Sequence, residues 1–344
     1  MATNDTDEVF QLQNAVEEKG RFINSFNRNF KLPDFSSIFR FIFVTTNNTG
    51  LPAGPNEIDE KLPIVRHNQS DILKPKGLRF IWIGHASCFV QMNGFNFLTD
   101  PVFSERCGIT RNIGPKRYRP PALNVQDLPN DLHAVIISHN HYDHLDLSTV
   151  TSLNARYGEK LTWFCGLNLK QWFIDTGCTN VVELDWTGEY DYKKTDGKSV
   201  KIIYCPAQHW SKRTPFDTNK SLWGSYVVQD DKYKFYFAGD TGYFSPLFKE
   251  IGKKYGPFDL AAIPIGAYEP RWMMAAQHVE PSESVQMHVD LNAKKSIGIH
   301  WGTFALAYEP YLEPPLKLME EVKKLNLDPN SFTVLQHGEI LDIE

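Results

Sequence analysis

The feature that most constrains the fold is a recurring pair, in which a short apolar run is followed by a His or an Asp. The four pairs are 134–137 before His139, 200–204 before His209, 235–237 before Asp240 and 296–299 before His300. Buried strands read as continuous apolar runs, and open α/β sheets collect their chemistry at strand ends. Helical patterns lie between these runs, at about 167–176, 246–255, 281–291 and 315–325. The sequence therefore predicts an α/β domain in which four strand ends converge on one rim.

The densest group of metal-ligand side chains is the hexapeptide 139–144, which holds three His and one Asp. Imidazole nitrogen and carboxylate oxygen suit zinc, whereas calcium and magnesium sites are built from oxygen. We predict two metal ions side by side, with His139 and His141 on one ion and Asp143 and His144 on the other. A surface loop that is merely rich in His is the alternative.

Two metal ions need more ligands than the hexapeptide offers, and the other strand ends provide them. His209 is predicted to complete the first ion and His300 the second, while Asp240 bridges both through its two carboxylate oxygens. Seven ligand residues leave room for a shared water, as a catalytic site requires. His85 and Asp100 also end apolar runs, and we expect them to orient ligand imidazoles or to hold the strand ends.

Composition excludes several classes of protein. The formal charge of −5 gives no sign of nucleic-acid binding, and the charged share of 22% argues against disorder. Five scattered Cys suggest thiols in a reducing compartment. The acidic N-terminus does not read as a signal peptide, and no run of about 18 apolar residues suggests a membrane span. We therefore expect an intracellular protein.

The chain divides into three predicted regions: a mobile acidic tail over residues 1–20, an N-terminal extension over 21–77 and the catalytic domain over 78–344. Within the extension, residues 32–44 carry four Phe and two Ile around a single Arg40. This segment is predicted either to be a core element or to dock on a membrane, with its aromatic rings in lipid and nearby basic residues at anionic head groups. Residues 45–77 are expected to form a connecting arm with little regular structure.

The ligand pattern, from the hexapeptide to His300, resembles the metallo-β-lactamase superfamily. Longer blocks narrow the resemblance to the family of N-acyl-phosphatidylethanolamine-hydrolysing phospholipases D. These blocks are 84–86, 98–101, 114–117, 138–146, 237–243, 263–272, 277–279 and 299–305. The resemblance covers roughly residues 20 to 340. It implies an αββα sandwich with two zinc ions between its sheets.

The resemblance also implies a reaction. The phosphodiester of N-acyl-phosphatidylethanolamine would be cleaved by a metal-bridging hydroxide, giving an N-acylethanolamine and phosphatidic acid. Asp240 would fix the spacing of the metal ions, Asp143 would also orient the hydroxide, and His278 would neutralise or protonate the leaving alkoxide. Tyr142, Gln277 and His278 are the predicted substrate contacts.

The implied partners are a phospholipid substrate and a membrane surface, with peripheral attachment at the cytosolic face of an internal membrane of Golgi, endosome or ER type. The sequence leaves a homodimer open. Two other functions remain alternatives. One is a soluble lactonase or phosphodiesterase of the same fold, acting on a small phosphorylated substrate. The other is an inactive scaffold stabilised by zinc.

Overall fold

A computed structural model of the protein describes residues 10–52, 54–73, 77–110, 112–194 and 197–343. The N-terminal elements are β1 (Val16–Glu18), β2 (Arg21–Ile23), α1 (Phe35–Phe43), α2 (Pro55–Lys61) and α3 (Gln69–Ile72). The next elements are β3 (Leu78–Gly84), β4 (Ser87–Met92), β5 (Phe95–Thr99), β6 (Ala134–Ile136), α4 (Leu147–Tyr157), β7 (Thr162–Gly166), α5 (Lys170–Asp175) and β8 (Val181–Leu184).

The second half of the chain begins with four antiparallel strands and then alternates helices with parallel strands. Its elements are β9 (Glu189–Lys193), β10 (Ser199–Cys205), β11 (Ser225–Gln229), β12 (Lys234–Phe237), α6 (Ser245–Tyr255), β13 (Leu260–Pro264), α7 (Arg271–Met274), α8 (Pro281–Asp290), β14 (Ser296–Ile299), α9 (Glu313–Lys324), β15 (Phe332–Thr333) and β16 (Ile340–Ile343). The last strand, β16, returns to the first sheet and pairs with β3.

Two seven-stranded sheets result, in the orders β16-β3-β4-β5-β6-β7-β8 and β15-β14-β13-β12-β11-β10-β9. In β3, Phe80 and Trp82 face the second sheet, whereas Ile81 and Ile83 face the side of α4 and α5. Each sheet is therefore buried on both faces, which explains the continuous apolar runs. Helices α6, α8 and α9 cover the outer face of the second sheet. The predicted αββα sandwich is confirmed.

The hairpin turn between β4 and β5 shows how local sequence sets the register. Asn93 and Gly94 both have positive φ, 46° and 81°, and they join β4 to β5 with Met92 opposite Phe95. A two-residue turn of this kind matches the right-handed twist of the two strands. The hairpin delivers Asp100, directly after β5, to the same rim as the end of β6, where the Asp100 N–H donates to the Ile136 carbonyl.

One predicted helix is shorter than expected. The helix predicted at 167–176 is reduced to α5, because Asn168 has a φ of +65° and the N–H groups of Leu169 and Lys170 donate to the Glu183 carboxylate. That side chain satisfies helix-start donors and fixes where the helix begins.

The N-terminal region is more ordered than its composition suggested. Residues 1–9 of the predicted mobile tail lie outside the described residues. Residues 10–20 differ from the prediction, because β1 pairs with β2 and the Phe10 ring packs 5.9 Å from Phe244. The arm predicted at 45–77 contains α2 and α3, and Asp59 of α2 forms an ion pair with Arg119.

Candidate metal centre

The hexapeptide begins just beyond β6 and forms a turn rather than a strand. The N–H groups of His144 and Leu145 both donate to the His141 carbonyl, at 3.1 and 2.9 Å. This turn, rather than strand alternation, divides the ligands into two groups. Asp143 and His144 turn toward one side of the rim, whereas His139 and His141 stay on the other.

The first ligand group consists of His139, His141 and His209. His141 Nδ1 lies 2.8 Å from His139 Nε2 and 3.2 Å from His209 Nε2. His209 follows β10 and comes from the opposite sheet. The sequence assigned these three imidazoles to one ion, and the structure brings them together.

The second ligand group consists of Asp143, His144 and His300. His144 Nε2 lies 3.2 Å from His300 Nε2 and 3.3 Å from Asp143 Oδ2, and the remaining His300–Asp143 distance is 3.5 Å. His300 follows β14 directly and adopts a φ of +63°. This left-handed backbone turns the chain sharply at the strand end.

Asp240 lies between the two groups. Its Oδ1 is 3.0 Å from His300 Nε2 and its Oδ2 is 3.0 Å from His144 Nε2, in the second ligand group. Oδ2 is also 3.9 Å from His139 Nε2 and 3.8 Å from His209 Nε2, in the first ligand group. The carboxylate thus reaches both groups, as the bridging prediction requires.

The ligand atoms have the spacing that a metal ion demands. Zinc binds imidazole nitrogen at about 2.0–2.1 Å in a tetrahedron, so its ligand atoms lie about 3.3 Å apart. The distances from His141 to His139 and His209, and those among Asp143, His144 and His300, range from 2.8 to 3.5 Å. Nitrogen and carboxylate oxygen are also the donors that zinc and neighbouring transition metals prefer. The residues therefore fit two divalent ions.

The electrostatics of the site also favour cations. Burial lowers the pKa of His141 to about 4 and that of His209 to about 3, so that both rings are neutral ligands. For His300, burial is outweighed by the carboxylates of Asp240 and Asp143, which raise its pKa to about 9. Burial opposes the charge of Asp240 as well, but the surrounding imidazoles hold its pKa well below the usual value. A field that stabilises a protonated imidazole also stabilises a metal ion.

Asp100 and His85 orient the ligands, as the sequence suggested. The Asp100 carboxylate accepts from His144 Nδ1 at 2.6 Å and from the Ser138 hydroxyl. His85 Nε2 donates to Asp143 Oδ2 at 2.9 Å. Such hydrogen bonds fix the orientation of a ligand and raise its basicity.

Two orienting contacts were not anticipated. Ser138 Oγ lies 2.9 Å from His139 Nδ1, and the Gln277 carbonyl accepts from His209 Nδ1 at 3.0 Å. Ser138 stands next to a predicted ligand, which is a signal that sequence reading could have used. The contact through a backbone carbonyl depends only on where the chain passes, so the identity of Gln277 could not reveal it.

The three predicted substrate contacts lie around the centre. His278 Nδ1 is 3.9 Å from Asp240 Oδ2, and burial lowers the pKa of His278 to about 3. The Gln277 side chain is buried, and its Nε2 donates to the sulfur of Met274. The Tyr142 hydroxyl donates to the Arg213 carbonyl, and the Arg213 guanidinium lies 4.1 Å above the Tyr142 ring.

A groove of about 690 Å³ adjoins the hexapeptide at Asn140 and Tyr142. Leu147, Leu169 and Trp172 give it apolar walls, while Arg213 adds a cation. Drug-sized ligands typically occupy clefts of about 300–1,000 Å³ that are mostly apolar. The groove is therefore large enough for a substrate with hydrocarbon chains.

Comparisons with known proteins agree with this site. The family model described as "Beta-lactamase superfamily domain" matches residues 95–301. The N-acyl-phosphatidylethanolamine-hydrolyzing phospholipase D 1 of Caenorhabditis elegans is 42% identical over 318 residues, which cover 90% of this chain and 88% of that protein. The mitochondrial N-acyl-phosphatidylethanolamine-hydrolyzing phospholipase D of Saccharomyces cerevisiae is 37% identical over 69% of this chain and 50% of its own length.

Among solved structures, Igni18, a metallo hydrolase from the archaeon Ignicoccus hospitalis, matches with a TM-score of 0.56 and 19% identity. The match covers 78% of this chain and 98% of that protein. At this level of identity, the match shows a shared fold.

Proposed function

Because the chain belongs to the metallo-β-lactamase superfamily, within the family of N-acyl-phosphatidylethanolamine-hydrolysing phospholipases D, we propose that it hydrolyses N-acyl-phosphatidylethanolamine with two zinc ions. Its family and its cluster of ligand side chains make it a metal-dependent hydrolase. The products would be an N-acylethanolamine and phosphatidic acid. The single observation that carries the proposal is the convergence of two ligand groups on one bridging carboxylate, Asp240.

When bound, two zinc ions supply the Lewis acidity that activates a water and offsets charge on a phosphoryl group. The chain's own residues provide the geometry. Asp240 fixes the separation of the two groups, and the hydrogen bond from His85 fixes the Asp143 carboxylate. His278 lies close to both groups, with its ring 5.2 Å from that of His209 and 5.6 Å from that of His300. A neutral ring in this place can donate a hydrogen bond to the leaving oxygen.

The groove beside Tyr142 supports a lipid substrate. A phosphodiester at the metal centre would extend one arm past Asn140 and Tyr142 into the apolar walls around Trp172. The Tyr142 ring is held by Arg213, so it presents a fixed face to that arm. We propose that Tyr142 lines the path of an acyl chain. The predicted substrate contact of Gln277 remains a prediction.

Helix α1 supports attachment to a membrane surface. Phe41 stacks on Tyr308 at 4.4 Å and Arg40 lies over Trp272, so one side of the helix is anchored. The other side exposes 52% of Phe39 and 71% of Phe43. Burying a Phe side chain contributes about 1.5–3 kcal/mol. We propose that this side enters the interface of a lipid bilayer, and that the bilayer is the cytosolic face of an internal membrane.

Within the described ranges, no helix combines the length and the apolarity that crossing a bilayer requires.

The substrate proposal is tested by incubating the zinc-loaded enzyme with three phosphodiesters: N-acyl-phosphatidylethanolamine, phosphatidylethanolamine and bis-p-nitrophenyl phosphate. Mass spectrometry should detect an N-acylethanolamine and phosphatidic acid from the first. Hydrolysis of the small ester alone would favour the soluble phosphodiesterase. A protein that holds two ions and cleaves none of the three would favour the inactive scaffold.

The membrane proposal is tested by pelleting the protein with anionic phospholipid vesicles. A variant carrying Phe39→Asp and Phe43→Asp should lose about tenfold or more in vesicle binding, since two exposed rings are replaced by charges. Met319→Asp is the matched control, because Met319 is also exposed but lies on α9. Equal binding of the wild type and the double variant would contradict the proposal.

A further inference from the structure

A ligand imidazole has two ring nitrogens, and the one that faces away from the metal normally meets an acceptor. Three ligand imidazoles have such a partner, namely His139 at Ser138, His144 at Asp100 and His209 at the Gln277 carbonyl. His300 differs from these three. Its Nδ1 is buried and has no hydrogen-bonding partner among the described residues. His141 Nε2 also lacks one, but that residue is only half-buried.

A small cavity lies beside His300. It measures about 20 Å³ and is lined by His85, His300 and Glu309, with Ala307 and Phe304 in its wall. A cavity needs about 10–15 Å³ to hold one water, and the water needs two to four polar partners. Both conditions are met here, because two imidazoles and a carboxylate side chain line the same space.

The hydrogen-bonding roles of these partners are complementary. His300 Nε2 faces the ligand group, so Nδ1 carries the proton and is a donor. His85 Nε2 donates to Asp143, so its Nδ1 is an acceptor, and it too has no partner among the described residues. The Glu309 carboxylate is a second acceptor. One water can accept from His300 and donate to both of the others, which makes the three bonds typical of a buried water.

We propose that this cavity holds a structural water through which Glu309 orients His300. Glu309 is itself fixed in place, because its two oxygens accept from the N–H groups of Ala267 and Glu269 at 2.6 and 3.1 Å. It is thus a positioning residue that completes the hydrogen bonding of the second ligand group. The inference rests on the proposed metal centre and deepens it, whatever the substrate.

The direct test is a crystal structure of the zinc-loaded wild-type enzyme at a resolution that reveals ordered water. We expect one water within hydrogen-bonding distance of His300 Nδ1, His85 Nδ1 and the Glu309 carboxylate. A dry cavity, or a His300 Nδ1 that donates directly to a protein atom, would overturn the proposal. This outcome does not depend on any variant folding.

The functional test measures how fast each zinc ion is released to a chelator. Glu309→Ala should release the ion of the second ligand group about 10–100 times faster, which is the usual effect of losing an orienting partner. The ion of the first ligand group should leave at its wild-type rate. Glu309→Gln keeps an acceptor oxygen and should have a smaller effect. Glu313→Gln is the matched control, because Glu313 accepts from Tyr268 and is not part of the cavity lining.

A second variant separates two roles of Glu309, the orientation of His300 and the support of the backbone at Ala267 and Glu269. Ala307→Val leaves Glu309 in place but occupies the cavity, so it should speed release of the same ion. The metal-free Ala307→Val variant should keep the wild-type melting temperature, whereas Glu309→Ala should lower it, because the N–H groups of Ala267 and Glu269 lose their acceptors. Equal acceleration of both ions, or wild-type rates in both Glu309→Ala and Ala307→Val, would overturn the proposal. None of these measurements uses turnover, so an error in the proposed substrate would leave them unchanged.

Discussion

In the first ligand group, the oriented imidazoles meet uncharged acceptors, the Ser138 hydroxyl and the Gln277 carbonyl. In the second ligand group, His144 meets the Asp100 carboxylate, and Asp143 is itself a charged ligand. The hexapeptide contributes two residues to each group, so the difference comes from the strand ends around it. Charged partners raise the basicity of a ligand more than neutral ones do. The two proposed ions should therefore be held with unequal strength.

Asp240→Asn should have the largest effect, because the Asp240 carboxylate reaches both ligand groups. Its loss of charge should weaken both ions and lower turnover by more than about 100-fold. Metal content and the release of N-acylethanolamine measure the two effects. Asp328→Asn, on the exposed turn after α9, is the control. An active variant that retains both ions would rule out the bridging role.

Asp100→Asn should separate the two groups. The variant removes the charge that His144 meets, so release of the ion of the second ligand group should be about 10–100 times faster. The first ligand group should change less, because His139 reaches Asp100 only through the Ser138 hydroxyl. Stopped-flow chelation with a metal indicator resolves the two releases. If Asp100→Asn accelerated the release of both ions equally, the charge of Asp100 would not distinguish the second ligand group from the first.

The clustering of the candidate ligands could be predicted from sequence because they follow apolar runs, and the end of a buried strand is where a sheet presents its chemistry. The ends of β6, β10, β12 and β14 each supply a ligand or the hexapeptide. The division into two groups was also predicted. In the structure, a turn closed on the His141 carbonyl produces it, and the sequence analysis had not predicted that turn.

The partners of the ligands were less predictable. Asp100 and His85 could be proposed because they too end apolar runs. Glu309 lies in the loop between β14 and α9, and its carboxylate holds the backbone of Ala267 and Glu269. Side chains placed by loops of this kind leave no periodic signal. For the same reason, the exposure of α1 was left open between core and membrane, since burial of one helix face depends on what the rest of the chain packs against it.

The wild-type protein offers a direct measurement of the difference between the groups. Hydrogen bonds to charged groups contribute about 1.5–3 kcal/mol, whereas neutral ones contribute about 0.5–1.5 kcal/mol. A difference of about 1.4 kcal/mol corresponds to a factor of ten. We therefore expect a chelator to remove the ion of the first ligand group about ten times faster than the other ion. Simultaneous release would show that the surrounding charges do not distinguish the sites.

Ser138→Ala should give a smaller effect, limited to the first ligand group. It removes an uncharged partner of His139, which is worth about 0.5–1.5 kcal/mol, or roughly a two- to tenfold faster release of that ion. The same chelation experiment measures it. Ser152→Ala, on the exposed side of α4, is the control. A larger effect on the second ligand group would mean that Ser138 acts mainly through Asp100.

His278→Ala should leave both ions in place. Of the variants discussed, it should change metal binding the least. His278 Nδ1 lies 3.9 Å from Asp240 Oδ2, and all seven proposed ligand residues remain in this variant. Turnover should nevertheless fall by about 10²–10³-fold, the usual contribution of one hydrogen-bond donor to charge that develops in a transition state. Metal analysis and turnover on the same preparation give both numbers, and His67→Ala, at a site bonded to the Gly338 carbonyl, is the control.

The two readouts for His278 separate three roles. A fall in turnover with full metal content fits a residue that acts on the substrate from a place between the two groups. Loss of one ion would instead assign His278 to the metal, beside His209 and Asp240, with which it already forms a possible ligand cluster. Unchanged turnover and unchanged metal would leave His278 as a packing residue. Another side chain at the rim would then have to donate a hydrogen bond to the leaving oxygen.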